Sequence, residues 1–339
     1  MKLYQISPEA EGLDRLRLAE APEPEPGPRQ VKLRMHAASL NYRDQIMLTG
    51  GYRTPVTRPM VPLSDGAGEV AAVGEGVTRV KVGDRVCPTF FQVWTGGRPP
   101  AGYGALGNPL DGVLTEFMVV HEDGVVRIPD SFSFEEAACL PCAALTAWNA
   151  LFGAGKPLIA GQSVLVQGTG GVSIFALQFA RMAGAQVIAT TSSDAKAERL
   201  KALGAAHVIN YRSTPDWDQE VQRLTGGGVD VVVEVGGAGT LPKSYQALGW
   251  AGKIALIGVM TPIDPADAMQ LNPIGLAFKA GNVHGIMVGN RRMFEGMVAA
   301  MAANDLRPVV DKVFPFDQAR QAYETAKAGE FVGKVVIRI

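Results

Sequence analysis

The glycine-rich segment from Val164 to Ser173 contains the residue types that bind a pyrophosphate. An apolar run, Val-Leu-Val, leads into Gln-Gly-Thr-Gly-Gly-Val-Ser, and an apolar helical pattern follows. Because glycine has no Cβ, the backbone N–H groups of such a turn can approach a phosphate closely, and the helix dipole favours the anion. A position between a strand and a helix distinguishes a dinucleotide site from a plain tight turn. The residues that we expect to contact a dinucleotide are Gly168, Thr169, Gly170, Gly171 and Val172.

The residues that select between NAD and NADP are expected about twenty positions further on. NAD binding uses an acid at the end of the second strand to hold the ribose 2′-hydroxyl, but Thr190 to Lys196 reads Thr-Thr-Ser-Ser-Asp-Ala-Lys. Hydroxyl groups and an ammonium suit a 2′-phosphate instead. Asp194 would repel that phosphate, but its place before a helix favours a capping or first-turn role. The sequence therefore predicts NADPH, with NADH less favoured, bound by Ser192, Ser193, Lys196 and Tyr211, with Arg212 beside them.

Strands and helices alternate in the part of the chain that carries these residues. The predicted strands are Ser163–Gln167, Gln186–Thr190, His207–Ile209, Val229–Glu234 and Lys253–Ile257, with Val283–Val288 as a further candidate. The predicted helices are Gly171–Ala183, Ala195–Leu203, Trp217–Leu224 and Leu241–Leu248. Strands separated by helices of about ten residues imply right-handed crossovers and a parallel sheet covered on both faces.

The first third of the chain has a different pattern. Short apolar strands are predicted at Gln30–Met35, Gly68–Val73, Arg85–Pro88, Glu116–Val120 and Val125–Ile128, between turn residues that favour an antiparallel module. The proline-rich stretch Ala21–Pro28 is expected to be an exposed turn between two strands. A helix near Arg292–Ala303 and strands near Val309–Phe314 and Lys334–Ile339 do not continue the alternation, so the tail is expected to return to the first module.

Composition excludes several classes of function. The 339 residues include 32 Lys and Arg against 33 Asp and Glu, a net charge of −1, which argues against a nucleic-acid partner. The uncharged stretch Ala137–Gly155 is interrupted by polar residues, proline and glycine, so it predicts a buried core helix and no membrane partner. Three cysteines and an N-terminus without a secretory signal favour a cytoplasmic protein.

Five short strings give the sequence a family resemblance. Ala-Ser-Leu-Asn-Tyr-Arg-Asp (38–44), Ser-Asp-Gly-Ala-Gly-Glu-Val (64–70), Val-Gly-Asp-Arg-Val (82–86), Leu-Thr-Ala-Trp (145–148) and the glycine turn occur in the order found in the medium-chain dehydrogenase/reductase superfamily. The closing Gly-Lys-Val-Val (333–336) fits as well, and the chain is similar throughout to the quinone oxidoreductase branch. The resemblance implies an α/β protein with a GroES-like β-rich catalytic domain (1–142 and 291–339) and a Rossmann domain (143–290). The active site would lie in the cleft between them. Ser173 departs from the glycine that usually ends this loop.

The resemblance also allows the zinc site of related alcohol dehydrogenases to be tested by position. The first cysteine ligand is absent near Asn41, Ser64 replaces the histidine, Asp65 replaces a glutamate, and only Cys142 remains. A catalytic zinc takes three protein ligands, so we expect no metal. Cys139 and Cys142 form a Cys-x-x-Cys pair, for which two buried structural residues are the main interpretation and a redox pair the alternative. His36, His121, His207 and His284 have no ligand spacing, so each is expected to be a structural histidine.

Without a metal, hydrogen-bond donors would have to polarise a substrate carbonyl. By resemblance the candidates are Asn41, Tyr42 and Tyr52, in the loop after the strand that contains His36, although each also has a structural interpretation as a turn former, a core residue or a surface residue. The resemblance places further residues along the nicotinamide half of the cofactor: Thr146, Gly258, Val259, His284, Ile286 and Lys334, with Asn290 and Arg291 less certain. An aromatic loop between Pro88 and Leu114, with Phe90, Phe91, Trp94 and Tyr103, would either cap a hydrophobic substrate or pack over the β module.

These observations predict a zinc-independent, NADPH-dependent oxidoreductase that transfers hydride to a quinone or an α,β-unsaturated carbonyl. Two alternatives stay open: an alcohol dehydrogenase or enoyl-thioester reductase on the same fold, and an NADPH-binding protein without turnover. A thioester substrate would need basic residues for its carrier phosphates, for which Arg53, Arg58 and Arg98 are candidates. By resemblance the chain is expected to form a homodimer through the edge of its Rossmann sheet near Val283–Val288.

Overall fold

Two sheets of different kinds organise the chain. The computed structural model describes residues 1–52, 54–102, 104–258, 260 and 273–339, and the predicted Arg53, Tyr103 and Val259 lie outside these residues. Unit 1 consists of Met1–Leu145 and Gly289–Ile339, and unit 2 of Thr146–Val288. The C-terminal tail therefore folds with the first third of the chain.

Unit 2 is built on a parallel six-stranded sheet. Its strands are β8 (Ser163–Gln167), β9 (Gln186–Thr191), β10 (His207–Asn210), β11 (Val229–Glu234), β12 (Leu248–Leu256) and β13 (Asn282–Gly285). Its helices are α4 (Gly171–Met182), α5 (Asp194–Ala202), α6 (Trp217–Thr225), α7 (Leu241–Ala247) and α8 (Pro273–Phe278). The central strands are continuous apolar runs because both faces of the sheet are covered. The predicted Rossmann-type alternation is confirmed.

The order of these strands shows where a ligand can bind. They lie in the order β10-β9-β8-β11-β12-β13, so the connections run outward in opposite directions from β8 and β11. In a doubly wound sheet, a ligand binds beyond the carboxyl ends of the strands at this reversal. The glycine turn follows β8 directly.

Unit 1 contains a mostly antiparallel seven-stranded sheet. The first hairpin, β1 (Lys2–Ile6) and β2 (Leu16–Glu20), lies apart from it, and the strands of the large sheet are β3 (Gln30–Ser39), β4 (Asp65–Val73), β5 (Arg85–Pro88), β6 (Phe117–His121), β7 (Val125–Arg127), β14 (Val310–Pro315) and β15 (Lys334–Arg338). The helices are α1 (Tyr42–Leu48), α2 (Phe134–Ala137), α3 (Leu145–Trp148, which crosses into unit 2), α9 (Arg291–Ala303) and α10 (Ala319–Ala328). β15 pairs with β3, which is how the tail completes this sheet.

The structure differs from the sequence prediction in several elements. The expected loop that carries Asn41 and Tyr42 contains α1, because Asn41 and Asp44 form a capping box that starts a helix. β13 ends at Gly285, short of the predicted Val288, and β12 begins at Leu248, five residues earlier than predicted. The stretch Ala21–Pro28 joins β2 to β3, as predicted, whereas the pairing of β2 with β1 and the helix α10 were not predicted.

The predicted core helix Ala137–Gly155 is a series of helical turns. α2 ends at Ala137, and π-helical turns at Leu140–Ala144 and Asn149–Gly153 lie on either side of α3. Pro141 cannot donate a backbone hydrogen bond, which favours a wider turn at the first of these points. No helix in the described part of the chain is long and apolar enough to cross a membrane.

Candidate active site

The turn between β8 and α4 has the geometry of a phosphate cradle. Gly168 has φ +74°, a conformation that side-chain-bearing residues rarely adopt, and Gly170 is the N-cap of α4. A Cβ at either glycine would meet no atom within 4 Å, so the space above the turn is open. Ser173, the departure from the family pattern, is buried and donates to the Gln167 carbonyl at 2.6 Å. The residues of this turn therefore fit a pyrophosphate.

A buried polar network supports the crevice where the strand order reverses. Gln167, at the end of β8, donates from Nε2 to Glu234 Oε2 at 2.7 Å and to Ser244 Oγ at 2.8 Å. Glu234, at the end of β11, accepts from the backbone N–H of Gly237 at 2.9 Å and from the Thr240 hydroxyl at 2.6 Å. The side-chain oxygen of Gln167, Oε1, accepts hydrogen bonds from the backbone N–H groups of Val235 and Gly236 in the loop after β11. These bonds fix the loop after β11 relative to the glycine turn.

The four residues predicted to hold a 2′-phosphate follow two neighbouring strands. Ser192 and Ser193 come directly after β9, Lys196 lies in the first turns of α5, and Tyr211 follows β10, which pairs with β9. The Tyr211 amide donates to the Thr191 carbonyl at 2.9 Å, which holds the two strand ends together. The structure therefore brings these predicted residues to one edge of the sheet.

Asp194 has the first-turn role that the sequence predicted. Ser193 is the N-cap of α5, and Asp194 is the acid of its first turn. Its Oδ1 accepts a hydrogen bond from Asn210 Nδ2 at 2.7 Å. This carboxylate is therefore held by a neutral donor from the end of β10.

The residues predicted to line the nicotinamide half lie in both units. Gly258 follows β12, and a Cβ there would come within 2.3 Å of the Gly237 amide, so the two loops can meet only because Gly258 is glycine. Thr146 and Ile286 are buried, and His284 lies in β13 with its ring over Gly155. Lys334, by contrast, begins β15 in unit 1.

Lys334 is part of a buried charged cluster. Its ammonium donates to the Leu40 carbonyl and, at 2.7 Å, to Asn41 Oδ1. Burial raises the pKa of the neighbouring Asp65 carboxyl, and the Lys334 ammonium offsets part of this rise. An ammonium can only donate hydrogen bonds, so the atom of the Asn41 side-chain amide that faces Lys334 must be its oxygen. The Asn41 side chain also lowers the pKa of Asp65, so its Nδ2 lies on the Asp65 side, although it makes no hydrogen bond of good geometry to the described residues.

Asp44 is a second buried carboxyl beside this cluster. Its Oδ2 accepts a hydrogen bond from the backbone N–H of Asn41 at 2.7 Å, which caps the start of α1. Its Oδ1 is buried without a hydrogen bond to the described residues. Burial raises the pKa of Asp44 to about 6, although the neighbouring Arg43 lowers it. The same carboxyl contributes to the raised pKa of the buried Tyr323 hydroxyl on α10, for which burial is the main cause.

The positions of the related zinc ligands are connected by hydrogen bonds. Asp65 accepts from the Ser64 hydroxyl at 2.6 Å and from the Cys142 backbone N–H at 2.9 Å. Burial raises the pKa of Cys142 and that of Cys139, the latter to about 12, so both are poor thiolates. Both cysteines are free, and the described residues contain no group of three His, Cys, Asp or Glu placed to hold a metal.

The two predicted tyrosines lie at opposite ends of α1. Tyr42 is its first residue and is 45% exposed, whereas Tyr52 follows it and packs partly against the core of unit 1. The Arg43 guanidinium lies 4.9 Å from the centre of the Tyr52 ring. Of the aromatic loop, Phe90, Phe91 and Trp94 are buried, as the packing interpretation expects. Arg58, a candidate for a carrier phosphate, is paired with Asp111.

The residues that support the site through buried hydrogen bonds and ring contacts were not predicted from the sequence. Gln167 and Glu234 carried a readable signal, because each is a polar residue at the end of an otherwise apolar strand. Arg43 carried none, since its partners Phe90, Leu106 and Asn108 are distant in the sequence.

Comparison with known proteins identifies the family of both units. Residues 27–130 match the alcohol dehydrogenase GroES-like domain, and residues 171–303 match the zinc-binding dehydrogenase family. A zinc-type alcohol dehydrogenase-like protein of Schizosaccharomyces pombe is 44% identical over 341 residues, 99% of each chain. The crystal structure of a putative alcohol dehydrogenase from Sinorhizobium meliloti 1021 superposes with a TM-score of 0.91 at 41% identity, covering 100% of this chain and 99% of that one. A solved NAD-dependent alcohol dehydrogenase gives a TM-score of 0.89 at 32% identity, with both chains fully covered.

The family description, the whole-length relative and the strand order agree with the sequence resemblance. The GroES-like match lies in unit 1, and the second match covers most of the Rossmann sheet of unit 2. Members of this family are oxidoreductases that bind NAD(P). The chain belongs to the medium-chain dehydrogenase/reductase superfamily and is an oxidoreductase of the alcohol dehydrogenase family.

Proposed function

We propose that this protein is a zinc-independent, NADPH-dependent reductase of quinones or α,β-unsaturated carbonyls. The observation that carries the proposal is the hydrogen-bonded group at the positions of the related zinc ligands. Ser64 donates to Asp65, which also accepts from the Cys142 amide, and the burial of Cys142 disfavours its thiolate. A hydroxyl and a protonated thiol are poor zinc ligands. Polarisation of a substrate oxygen then falls to hydrogen-bond donors.

Support for NADPH comes from the ends of β9 and β10. Ser192, Ser193 and Lys196 offer hydroxyl and ammonium groups to a 2′-phosphate, and Tyr211 lies on the neighbouring strand end. Asp194 is already bonded to Asn210 Nδ2. When bound, the dihydronicotinamide supplies the hydride.

In this proposal, residues of unit 1 stabilise the substrate oxygen and assist its protonation. Hydride addition to an electrophilic carbon places negative charge on the substrate oxygen, and a donor at that point lowers the barrier. Tyr42, Tyr52 and Asn41 are the proposed donors, and water or a tyrosine hydroxyl supplies the proton. Lys334 supports them because it donates a hydrogen bond to Asn41 Oδ1, which orients the Asn41 side chain.

The first experiment follows NADPH oxidation by the loss of the dihydronicotinamide absorbance. The acceptors are 1,4-benzoquinone and a medium-length enone, each assayed with and without a zinc chelator. Turnover that the chelator leaves unchanged supports the proposal, and chelator-sensitive turnover would refute it. Oxidation of primary and secondary alcohols by NADP⁺ in the absence of quinone reduction would establish the alcohol dehydrogenase alternative. Tight NADPH binding with no oxidation by any acceptor would support a binding protein without turnover.

The cofactor preference has its own matched pair of variants on α5. Lys196→Ala should raise the Kd for NADPH about tenfold or more and leave that for NADH unchanged, since it removes one charge-assisted phosphate contact. Lys201→Ala is the control, because Lys201 pairs with Glu198 at 2.8 Å on the same helix. Equal effects of Lys196→Ala on both cofactors would argue against a 2′-phosphate pocket at this position.

A further inference from the structure

Arg43 joins three parts of unit 1 through one side chain. Its guanidinium carbon lies 4.9 Å from the centre of the Tyr52 ring and 4.8 Å from that of Phe90. Nη1 donates to the Leu106 carbonyl at 2.8 Å, and Nη2 to the Asn108 carbonyl at 3.4 Å. The side chain therefore connects α1, the segment after it and both ends of the aromatic loop.

The aromatic loop is arranged around these contacts. The Leu106 amide donates to the Phe90 carbonyl at 3.0 Å, so the two ends of the loop that Arg43 contacts are bonded to each other. Asn108 Nδ2 donates to the Thr54 carbonyl at 2.7 Å, which connects the loop to the segment that follows Tyr52. Arg43 therefore adds to the Asn108–Thr54 bond and to the pair of Arg58 with Asp111, which also join the loop to the segment after Tyr52.

An arginine is suited to this position for a physical reason. Its planar guanidinium can stack on an aromatic ring and donate to two carbonyls at the same time, whereas an ammonium is a compact point charge. Arg43 Nε is buried without a hydrogen bond to the described residues, so the group is held by its two rings, its two Nη bonds and its attraction to the neighbouring Asp44 carboxyl. Neither carbonyl carries a formal charge, so these contacts are geometric rather than ion pairs.

We propose that Arg43 is a positioning and specificity-determining residue: it anchors the Tyr52 ring to the buried segment Leu106–Asn108 and so fixes the position that Tyr52 presents to a planar, unsaturated acceptor. This inference rests on the proposed function, in which Tyr52 is a donor to that acceptor. A tyrosine whose ring is held against a guanidinium has fewer conformations to lose when a ligand binds, which favours affinity. Arg43 acts through Tyr52 and the loop, so its loss should weaken acceptor binding and leave cofactor binding unchanged.

The test compares Arg43→Met, which keeps an unbranched aliphatic stem without the guanidinium, with Arg43→Lys, which keeps the charge. The control is Arg34→Met, because Arg34 also lies over an aromatic ring in unit 1, 5.5 Å from the centre of Phe117. Hydrogen exchange of the peptides that contain Leu106 and Tyr52 reports the loop directly, without any turnover. Steady-state kinetics with 1,4-benzoquinone, and equilibrium binding of NADPH, report the two binding steps separately.

We expect Arg43→Met to raise the KM for the quinone about tenfold with a smaller change in kcat, and to leave the Kd for NADPH within about twofold. Exchange in the Leu106 peptide should rise, Arg43→Lys should be intermediate, and Arg34→Met should match the wild type. In a Tyr52→Phe background, Arg43→Met should raise the KM by less than it does alone, because the two residues act as a unit.

Each other result would overturn the inference. Faster exchange without a change in KM would make Arg43 a purely structural residue. Unchanged exchange would show that Arg43 does not hold the loop, and equal losses in quinone and NADPH binding would show a general loss of fold. A wild-type protein that neither reduces nor binds quinones would refute the proposed acceptor and this role of Arg43, and exchange would then still decide whether Arg43 holds the loop.

Discussion

Asp44 shows how a single buried carboxyl connects the start of α1 to the pH dependence of stability. Its pKa is about 6 in the folded chain, because burial disfavours the charged form, against an ordinary value of 3.8. Between these values the folded state binds more protons than the unfolded state, so the free energy of unfolding falls as the pH rises from about 4 to 6. Above this window the ionised carboxyl costs about 3 kcal/mol.

Replacing Asp44 by asparagine should therefore stabilise the protein at neutral pH. Asp44→Asn keeps an oxygen that can accept from the Asn41 amide at the start of α1, but it has no charge to bury. Urea unfolding should show a gain over the wild type of about 1–3 kcal/mol at pH 7.5 that decreases towards pH 4. Asp305→Asn, at a carboxyl that is 95% exposed, should show no such trend. A gain that does not depend on pH would mean that titration of Asp44 is not its cause.

Lys334 illustrates a buried charge that cannot be removed alone. Lys334→Met leaves the buried Asp65 without the cation that lowers its pKa and removes the bond to Asn41. We expect a loss of about 3–5 kcal/mol in the free energy of unfolding, measured by urea unfolding at pH 7.5. Arg338→Met on the same strand removes an exposed pair with Glu135 and should cost less than about 1 kcal/mol.

The double variant Asp65→Asn/Lys334→Met separates charge from packing. It should recover part of the loss, because it removes both members of the interaction. A double variant as unstable as the sum of the single variants Asp65→Asn and Lys334→Met would show that Lys334 stabilises unit 1 independently of Asp65, through its packing and its bonds to Leu40 and Asn41.

At the scale of elements, the sequence predicted what local patterns determine. Ser163–Gln167 and Val229–Glu234 are observed with the predicted bounds, because each is a buried apolar run between turn residues. α1 was not predicted because the helix is only seven residues long and its start depends on a single capping box between Asn41 and Asp44. The open turn at Gly168 follows from a local pattern, whereas the contacts of Arg43 with Phe90, Leu106 and Asn108 depend on partners far along the chain. Lys334 was a candidate by resemblance, but its bonds to Leu40 and Asn41 could not be predicted from the sequence.

The glycine turn after β8 provides a test at this scale. Gly168 and Gly226 both have positive φ, +74° and +69°, and a Cβ at either would meet no atom within 4 Å. Gly168→Ala and Gly226→Ala should therefore each destabilise the protein by a similar amount, about 1 kcal/mol, as an alanine is strained in this conformation.

Only the first of these variants should affect the cofactor. A methyl group at Gly168 enters the open space where we place the pyrophosphate, so Gly168→Ala should raise the Kd for NADPH about tenfold or more, measured by fluorescence titration. Gly226 ends α6, away from the turn, and Gly226→Ala should bind NADPH as the wild type does. Equal Kd values for the two variants would place the pyrophosphate elsewhere.

The parallel sheet of unit 2 ends in a strand that has one neighbour. β13 pairs with β12 and is the last strand in the sheet order, so among the described residues its other side presents backbone groups without a strand partner. Such an edge is a template for pairing with another chain. Trp250 at the start of β12 and Phe278 at the end of α8 are 76% and 75% exposed, and the Ala251 amide bonds to the Lys279 carbonyl between them.

We therefore predict a homodimer that joins two copies of the sheet edge and covers both aromatic residues. Sedimentation equilibrium of the wild type should give about twice the chain mass of 35.9 kDa. Large exposed aromatic side chains contribute strongly to interfaces, so Trp250→Ser/Phe278→Ser should shift the equilibrium towards the monomer, with the Kd of dimerisation raised about a hundredfold. Ile159→Ser removes another exposed apolar side chain of unit 2, 62% exposed, and should leave the dimer intact. A wild-type monomer at micromolar concentration would refute the dimer, whereas a dimer that survives the double substitution would place the interface elsewhere on the molecule.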